Sequence, residues 1–391
     1  MNLAYTPEQQ AFRAEARAWL EANVPSGPLP SFDLTAEGFE AHRDWERKLN
    51  QGRWGMVTWP EELGGRGLDY IRWLIFEEEY YRAGAPTRVN QNGIFLLGPT
   101  MMEYGTPEQK ARFLPRMAAG DDVWAQAWSE PGAGSDLAGV RSTCTRANSE
   151  EWGDHYVLNG QKIWSSRAVF ADWAFGLFRE PGSERHKGMS LVLFPLDAPG
   201  VTRRPIERMD GEMVFAEIFL DNVRVPVADR LGDEGQGWAV CMATAGFERG
   251  LLLRSPARYQ VGVSKLIALY QAHKDTLPAS MAERVAQCWM DADAYALAIY
   301  AMVSKLDVGG KIGPESSTNK IFWSELDIAI TSAAMDILGE RGELMPGASE
   351  AGDVGTWLAD MIFALAGPIY AGSNEIQRNI IAERMLGLPR A

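Results

Sequence analysis

The sequence predicts an α+β fold, with a helical block, a middle β-domain and a second helical block. Three observations predict it. Apolar residues recur at helical spacing from residue 1 to about 122. From 123 to about 232 the period changes to two, in short aromatic and β-branched runs divided by Gly and Pro. From 233 to 391 long helix-spaced stretches return. The expected domains are therefore 1–122, 123–232 and 233–391. Each helical block alone is too apolar to stand free, so the two are expected to pack as one bundle.

In the first block, Thr6, Pro7 and Gln9 read as a capping box: the Thr oxygen accepts from the first turn and Gln reaches back. Phe12, Ala16, Trp19 and Leu20 then share one helix face. Thr106, Pro107 and Gln109 repeat the device ahead of Phe113 and Leu114. In the middle block, Asn159-Gly160 within HYVLNGQKIW is the strongest short hairpin signal. ADWAFGLF, MSLVLFPL and VFAEIFLDNVRVP read as further strands, giving five to eight in all. In the last block, GWAVCMATAGFERGLLLRSPARYQVGVSKLIALYQ is a helical stretch broken or bent near Ser255-Pro256. MAERVAQCWMDADAYALAIYAMVSK, STNKIFWSELDIAITSAAMDILG and EIQRNIIAERML continue the helices.

Composition excludes several classes. The net charge is −14, from 52 acidic against 38 basic residues, with no basic stripe of the kind a nucleic-acid binder carries. An anionic ligand would need local Arg to overcome that field. Cys144, Cys241 and Cys288 lie far apart and form no CxxC pair, and there are four His and no HExxH. Neither a disulfide scaffold nor a metal site is expected. The start MNLAYTPEQQAFRAEARAWL lacks a signal peptide's basic end and apolar core, and no run reaches the ~18 apolar residues of a membrane span. The expected location is the cytoplasm.

Two stretches carry chemistry. In WAQAWSEPGAGSDLAGVRSTCTR, residues 124–146, Gly132, Gly134 and Ser135 form a loop whose amides and hydroxyl suit a phosphate or a flavin edge. The loop fits neither GxGxxG nor GxxxxGK[ST], and an ordinary glycine turn is the plain alternative. Near the C-terminus, YAGSNEIQRNII places Ala371, Gly372 and Ser373 between an apolar run and a helix start, as if something lies close to that backbone.

SEPGAGSD at 129–136, NGQKIWSS at 159–166, FLDNVRVP at 219–226 followed by LGDEGQGW, and I-Y-x-G-S-N-E-I-Q-R at 369–378 resemble, in order and spacing, the acyl-CoA dehydrogenases. The resemblance spans essentially the whole chain. It implies an N-terminal helical domain, a β-barrel-like middle domain and a C-terminal four-helix bundle. It also implies FAD, held non-covalently. By position, Gln126, Trp128 and Ser129 would line the isoalloxazine; Gly134 and Ser135 would lie near the pyrophosphate or the pantetheine arm. Trp164 would pack on the flavin ring and Ser166 would bond its N5 side, although a strand Trp is more often core. Gly339 matches the adenine end; Gly372, Ser373 and Glu375 match cofactor-proximal positions in the last turn, and Ser135, Arg249 and Gly372 match substrate contacts.

Many relatives carry their α-proton base directly after the last-turn Tyr. Ala371 stands there, so only its backbone N–H remains to hold a thioester oxygen. Glu248, in GFERG, matches the position from which isovaleryl- and long-chain acyl-CoA dehydrogenases supply their base. Burial beside aromatics and flavin would raise its pKa into a working range. An ion pair with Arg249 is the plain alternative. Two features depart from the pattern: the R-x-x-F-G motif is missing, with Arg284 as a candidate substitute, and the Q-x-x-G-G-x-G segment reads Asp336, Gly339, Glu340, Gly342.

The expected reaction is oxidation of an acyl-CoA to its trans-2-enoyl-CoA, the chemistry of lipid β-oxidation, with flavin N5 accepting the β-hydride. The expected partners are an electron-transfer flavoprotein and further subunits, as a homotetramer or dimer of dimers. Alternatives are one subunit of a heteromeric dehydrogenase, a flavin monooxygenase or oxidase on the same fold, and a non-enzymatic scaffold.

Overall fold

In a computed structural model, the described residues are 4–249, 255–310, 312–345, 347–351 and 354–389, without the side chains of 247–249 and 355. Before the sheet come α1 (Pro7–Asn23), α2 (Ala36–Gln51), α3 (Tyr70–Arg82), α4 (Gly98–Tyr104) and α5 (Pro107–Ala119). The strands are β1 (Trp124–Ala127), β2 (Thr143–Ser149), β3 (Gly153–Ser166), β4 (Trp173–Arg179), β5 (Met189–Pro195), β6 (Val201–Ile206), β7 (Phe215–Pro226) and β8 (Arg230–Leu231). Then follow α6 (Gly237–Arg249), α7 (Pro256–His273), α8 (Ala279–Asp307), α9 (Ser316–Leu338), α10 (Gly355–Ala364) and α11 (Asn374–Ile380). This is the α+β class, helices flanking a sheet in chain order. The chain forms two compact units: residues 1–24, 69–85 and 249–391 in one, and 25–68 and 86–248 in the other.

The first unit is helical. Phe12, Ala16 and Leu20 bury the inner face of α1. Helix α3 is the hub. Its Glu78 accepts from Arg13 at 2.6 Å and from the hydroxyls of Tyr5 and Tyr300, and its nearly buried Glu79 accepts from Arg13 at 2.9 Å and Arg17 at 2.8 Å. These bonds tie α1 and α8 to α3. Both capping boxes form in their units: Gln9 N–H donates to Thr6 Oγ1 and Gln109 N–H to Thr106 Oγ1, each at 3.2 Å. The break between α6 and α7 falls where Pro forces it. Pro256 opens α7 and Ser255 caps it, accepting from the Ala257 N–H at 3.3 Å.

The second unit holds the sheet, ordered β6-β7-β3-β2-β4-β5-β8 with β1 parallel to β4. Strands β4 and β5 are buried almost throughout, as their unbroken apolar runs require. Strand β7 alternates buried and less buried positions over Phe215–Leu220. Tyr156, Leu158, Phe178, Phe194, Ile218 and Val225 form the core.

One expectation is corrected. Asn159-Gly160 is not a hairpin turn. It lies inside β3, which pairs with β2 on one side and β7 on the other. The register against β7 slips between Leu158 and Gly160, where Asn159 alone faces Asp221 and Asn222, so the pair lies opposite a β-bulge of β7, in which Asn222 has φ 52°. The real β2–β3 turn is Glu150–Trp152, closed by Gly153 at φ 61°. Gly160 has φ 142°, and a Cβ there would lie 2.2 Å from Ser142 Oγ and 2.7 Å from Ser142 Cα. A Cβ on Gly153 would meet nothing within 4 Å. Gly160→Ala should therefore cost at least about 2–3 kcal/mol, against about 1 kcal/mol for Gly153→Ala. Denaturant unfolding of both variants checks the order; equal losses would contradict the close approach of Ser142 to Gly160.

Candidate active site

In the sheet-bearing unit, two expected segments lie side by side. Gln126 pairs with Phe175 in the β1–β4 ladder. Trp128 is buried and meets Phe175 edge-on, ring centroids 6.1 Å apart. The Ser129 carbonyl accepts from the Ile163 N–H at 2.9 Å, which brings the end of β1 against the end of β3. There β3 itself bulges: between Lys162 and Ser165 its Ile163 and Trp164 face Glu217 alone on β7. Trp164, inside the bulge, has φ 60°, rare for a bulky side chain. Its ring is 56% exposed and touches Phe215 edge-on at 5.8 Å. Ser166 is half-buried opposite Phe215.

A fully buried ammonium underlies both segments. Lys162 Nζ donates to the carbonyls of Trp128 at 3.3 Å and Leu177 at 2.6 Å, and to Glu130 Oε1 at 2.8 Å. Glu130 also accepts from the N–H groups of Arg141 at 2.6 Å and Ser142 at 2.8 Å. Desolvation pulls the Lys162 pKa down, opposed by the adjacent carboxylate. Burial alone would raise Glu130, but the ammonium and the amide donors hold its carboxyl below the usual range. The glycine loop closes on this carboxylate: Glu130 and Ala133 exchange backbone bonds at 3.0 Å, and residues 141–142 return to the Glu130 side chain. Between them Gly132, Gly134 and Ser135 are exposed, and a Cβ on Gly132 or Gly134 would meet nothing within 4 Å. No intrachain contact demands glycine at either position. An exposed aromatic platform and an open small-residue loop beside it fit a planar, phosphate-bearing group such as FAD.

Helix α6, which leads to Glu248, belongs to the same unit. Thr244 receives a hydrogen bond from Thr100 of α4 at 2.9 Å, and Trp238 meets His186 at 4.5 Å. The backbone of 248 and 249 is helical; the side chains of Glu248 and Arg249 lie outside the described residues.

In the helical unit, the final turn is strained and anchored. Ala371 has φ 56° and Gly372 φ 79°. A non-glycine residue in this region costs about 1–3 kcal/mol and persists only where its surroundings enforce it. Asn374 enforces it from below: its Oδ1 accepts from the fully buried Lys320 at 2.8 Å, and its Nδ2 donates to Ser324 at 3.1 Å. Its N–H donates to the Pro368 carbonyl at 2.8 Å. Gln377 Nε2 donates to the Gly372 carbonyl at 3.1 Å. Ser373 caps α11, and the exposed Glu375 has its pKa lowered by the first-turn amides and Ser373. Among the described residues, the N–H groups of 371, 372 and 373 have no acceptor. Successive free amides of this kind form an anion- or oxyanion-binding concavity. Gly339 ends α9, fifteen residues past Ser324 and so roughly 22 Å along the helix. The structure does not bring it to the 371–375 turn. Arg284 is bound to Asp336 and donates to Ser332 at 2.9 Å.

Family profiles described as acyl-CoA dehydrogenase N-terminal, middle and C-terminal domain match residues 6–121, 125–223 and 235–386. The chain belongs to the acyl-CoA dehydrogenase family. As a family member it is an oxidoreductase with the acyl-CoA dehydrogenase fold, and its relatives bear the same name. It is 40% identical over 388 residues to acyl-CoA dehydrogenase IpdE1 of Mycobacterium tuberculosis, covering 97% of this chain and 98% of that one. It is 33% identical to acyl-CoA dehydrogenase FadE26 of the same organism, over all of both chains. Among solved structures it is similar to a steroid acyl-CoA dehydrogenase, Tcur3481-Tcur3483, with TM-score 0.88 and 28% identity over all of both chains. The ChsE4-ChsE5 complex from Mycobacterium tuberculosis matches with TM-score 0.82 and 32% identity, also over all of both chains.

Reasoning from sequence named the residues around the anchors and missed the anchors. Glu130, Lys162 and Asn374 sit inside the quoted motifs. A lysine in a strand with apolar neighbours was the available signal. Asn374→Ala removes a buried partner of Lys320 and Ser324 and should cost about 1–3 kcal/mol. Trp164→Phe, at an exposed position, should change stability by less than about 0.5 kcal/mol. Thermal unfolding of the two variants checks the contrast; a large loss in Trp164→Phe would make that ring a packing residue.

Proposed function

We propose that this chain oxidises an acyl-CoA thioester to its trans-2-enoyl-CoA with FAD, and that Glu248 is the α-proton base. The observation that carries the reading is the 371–373 turn. It presents free backbone N–H groups but no carboxylate, so it can polarise a thioester carbonyl and cannot deprotonate the α-carbon. The N–H of Ala371 donates to the thioester oxygen and stabilises the enolate charge that grows as the proton leaves. The strain at 371 is held before substrate arrives, so no reorganisation is needed at that moment. Glu248 takes the α-proton from α6, and Arg249 contacts the bound thioester.

The cofactor-facing residues are Gln126, Trp128, Ser129, Gly134, Ser135, Trp164 and Ser166, with Ser373 and Glu375 from the final turn and Gly339 toward the adenine. Trp164 offers a stacking face, Ser166 a hydroxyl, and the 132–135 loop its amides and the Ser135 hydroxyl. FAD, when bound, supplies the two-electron acceptor for the β-hydride. The electrons leave to an electron-transfer flavoprotein. The domains are assigned as 1–122, 123–232 and 233–391, and the protein is assigned to the cytoplasm.

A second reading is favoured by one observation. Arg284, the candidate substitute for the Arg of R-x-x-F-G, which in relatives contacts the FAD pyrophosphate of the partner subunit, is already bound to Asp336 and Ser332. A partner chain would then complete the adenine end of the FAD site. The similarity to the ChsE4-ChsE5 complex supports this heteromeric arrangement over a homotetramer.

Anaerobic mixing with a panel of straight, branched, dicarboxylic and steroid-derived acyl-CoA thioesters, followed at the flavin band, tests the reaction. Wild type should bleach with at least one thioester. Glu248→Gln should retain FAD and bleach about 10²–10⁴-fold more slowly. Equal rates would remove Glu248 from the role. For the second reading, FAD content is compared after expression alone and with a neighbouring family chain. Full occupancy alone contradicts the need for a partner.

A further inference from the structure

We propose that Lys162 and Glu130 are positioning residues for the cofactor: the pair sets the shape of the face formed by the glycine loop and Trp164, more than it stabilises the fold. This rests on the reading that FAD binds that face.

The geometry carries the proposal. An ammonium has three N–H donors, and the three acceptors around Nζ are the Trp128 carbonyl, the Leu177 carbonyl and Glu130. A neutral amine, with two donors and a lone pair, could not fill that arrangement. Two of the acceptors are backbone groups on different strands, so the ammonium fixes β1's end relative to β4 while lying on β3. Lys162 is two residues from Trp164, and its own register position is the last before the bulge. Glu130 stands directly before the glycine loop and binds the amides directly after it. One ion pair thus fixes both ends of the loop and the base of the bulge. Both groups lie inside the unit, so neither is placed to bind a ligand itself.

Energetics points the same way. Taking two charges out of water costs several kcal/mol per ion, and an apolar pair of similar volume is often as stable or more so. A buried pair is therefore poor value as a stabiliser. Its geometric demand is specific: each ammonium N–H meets one acceptor, Glu130 Oε1 takes Lys162 and Ser142, and Oε2 takes Arg141. That demand holds a loop open and a Trp outward, which packing alone would not.

The test uses Lys162→Met/Glu130→Leu, which removes both charges together and leaves neither buried alone. The probes are FAD titration, visible circular dichroism of bound flavin, and thermal unfolding of the FAD-free protein. The expected result is an FAD-free unfolding midpoint within a few degrees of wild type. The FAD Kd rises at least tenfold and the flavin dichroism is altered. An unchanged Kd and dichroism in the folded variant overturns the proposal. So does a lowered midpoint with normal FAD affinity, which would make the pair structural.

Should the double variant fail to fold, Glu130→Gln decides. It keeps the volume and an acceptor for Lys162 and Ser142, but turns an amide N–H against the N–H of Arg141. It should raise the FAD Kd at least threefold; wild-type affinity overturns the proposal. If wild type itself binds no FAD, the parent reading fails instead, and the two failures are distinct.

Discussion

The buried Lys162–Glu130 pair is the interaction on which the proposed cofactor face of the sheet-bearing unit depends. Nothing in the fold class requires it, because strands pair and apolar side chains pack without charge. What needs it is the meeting of elements that would otherwise be independent. The end of β1, the middle of β4, the bulge of β3 and the glycine loop all terminate on one ammonium or its carboxylate. The core of Leu158, Phe178 and Phe194 supplies the driving force; the pair joins the ends of those elements.

The helical unit solves a similar problem with another fully buried lysine. Lys320 holds Asn374, and Asn374 holds the turn in which Ala371 and Gly372 take positive φ. In each unit, then, a residue expected at the site, Trp164 or Ala371, has an unfavourable backbone backed by a buried polar anchor. Strain of this kind is kept where a shape must exist before a ligand arrives. On the proposed reading, Ala371 serves without a side chain, because at this turn the backbone N–H is the functional group. On the same reading, the global charge of −14 leaves the attraction of an anionic thioester to local groups.

Much of the fold was legible in the sequence. The α+β class, both capping boxes and the break at Pro256 follow from local rules that tertiary contacts did not override. Asn159-Gly160 misled because a positive-φ glycine serves a turn and a crowded strand position, here against Ser142, equally. Only the pairing of β3 with strands on both sides distinguishes them, and that is non-local. The site was legible as motifs. The resemblance named Trp164 and the 371–375 turn, but it gave no reason for their shape. That reason lies in Glu130, Lys162, Lys320 and Asn374, whose side-chain pairs Glu130–Lys162 and Lys320–Asn374 span 32 and 54 residues. Side-chain burial at such separations cannot be read from spacing.

The central claim is that this chain is a flavin enzyme whose cofactor lies on the exposed Trp164 face. Titration of the FAD-free protein with FAD, followed by tryptophan fluorescence in wild type and Trp164→Phe, tests it most directly. The account predicts saturable quenching in wild type and a smaller quench with weaker binding in Trp164→Phe. Identical quenching and affinity in the two proteins would contradict it.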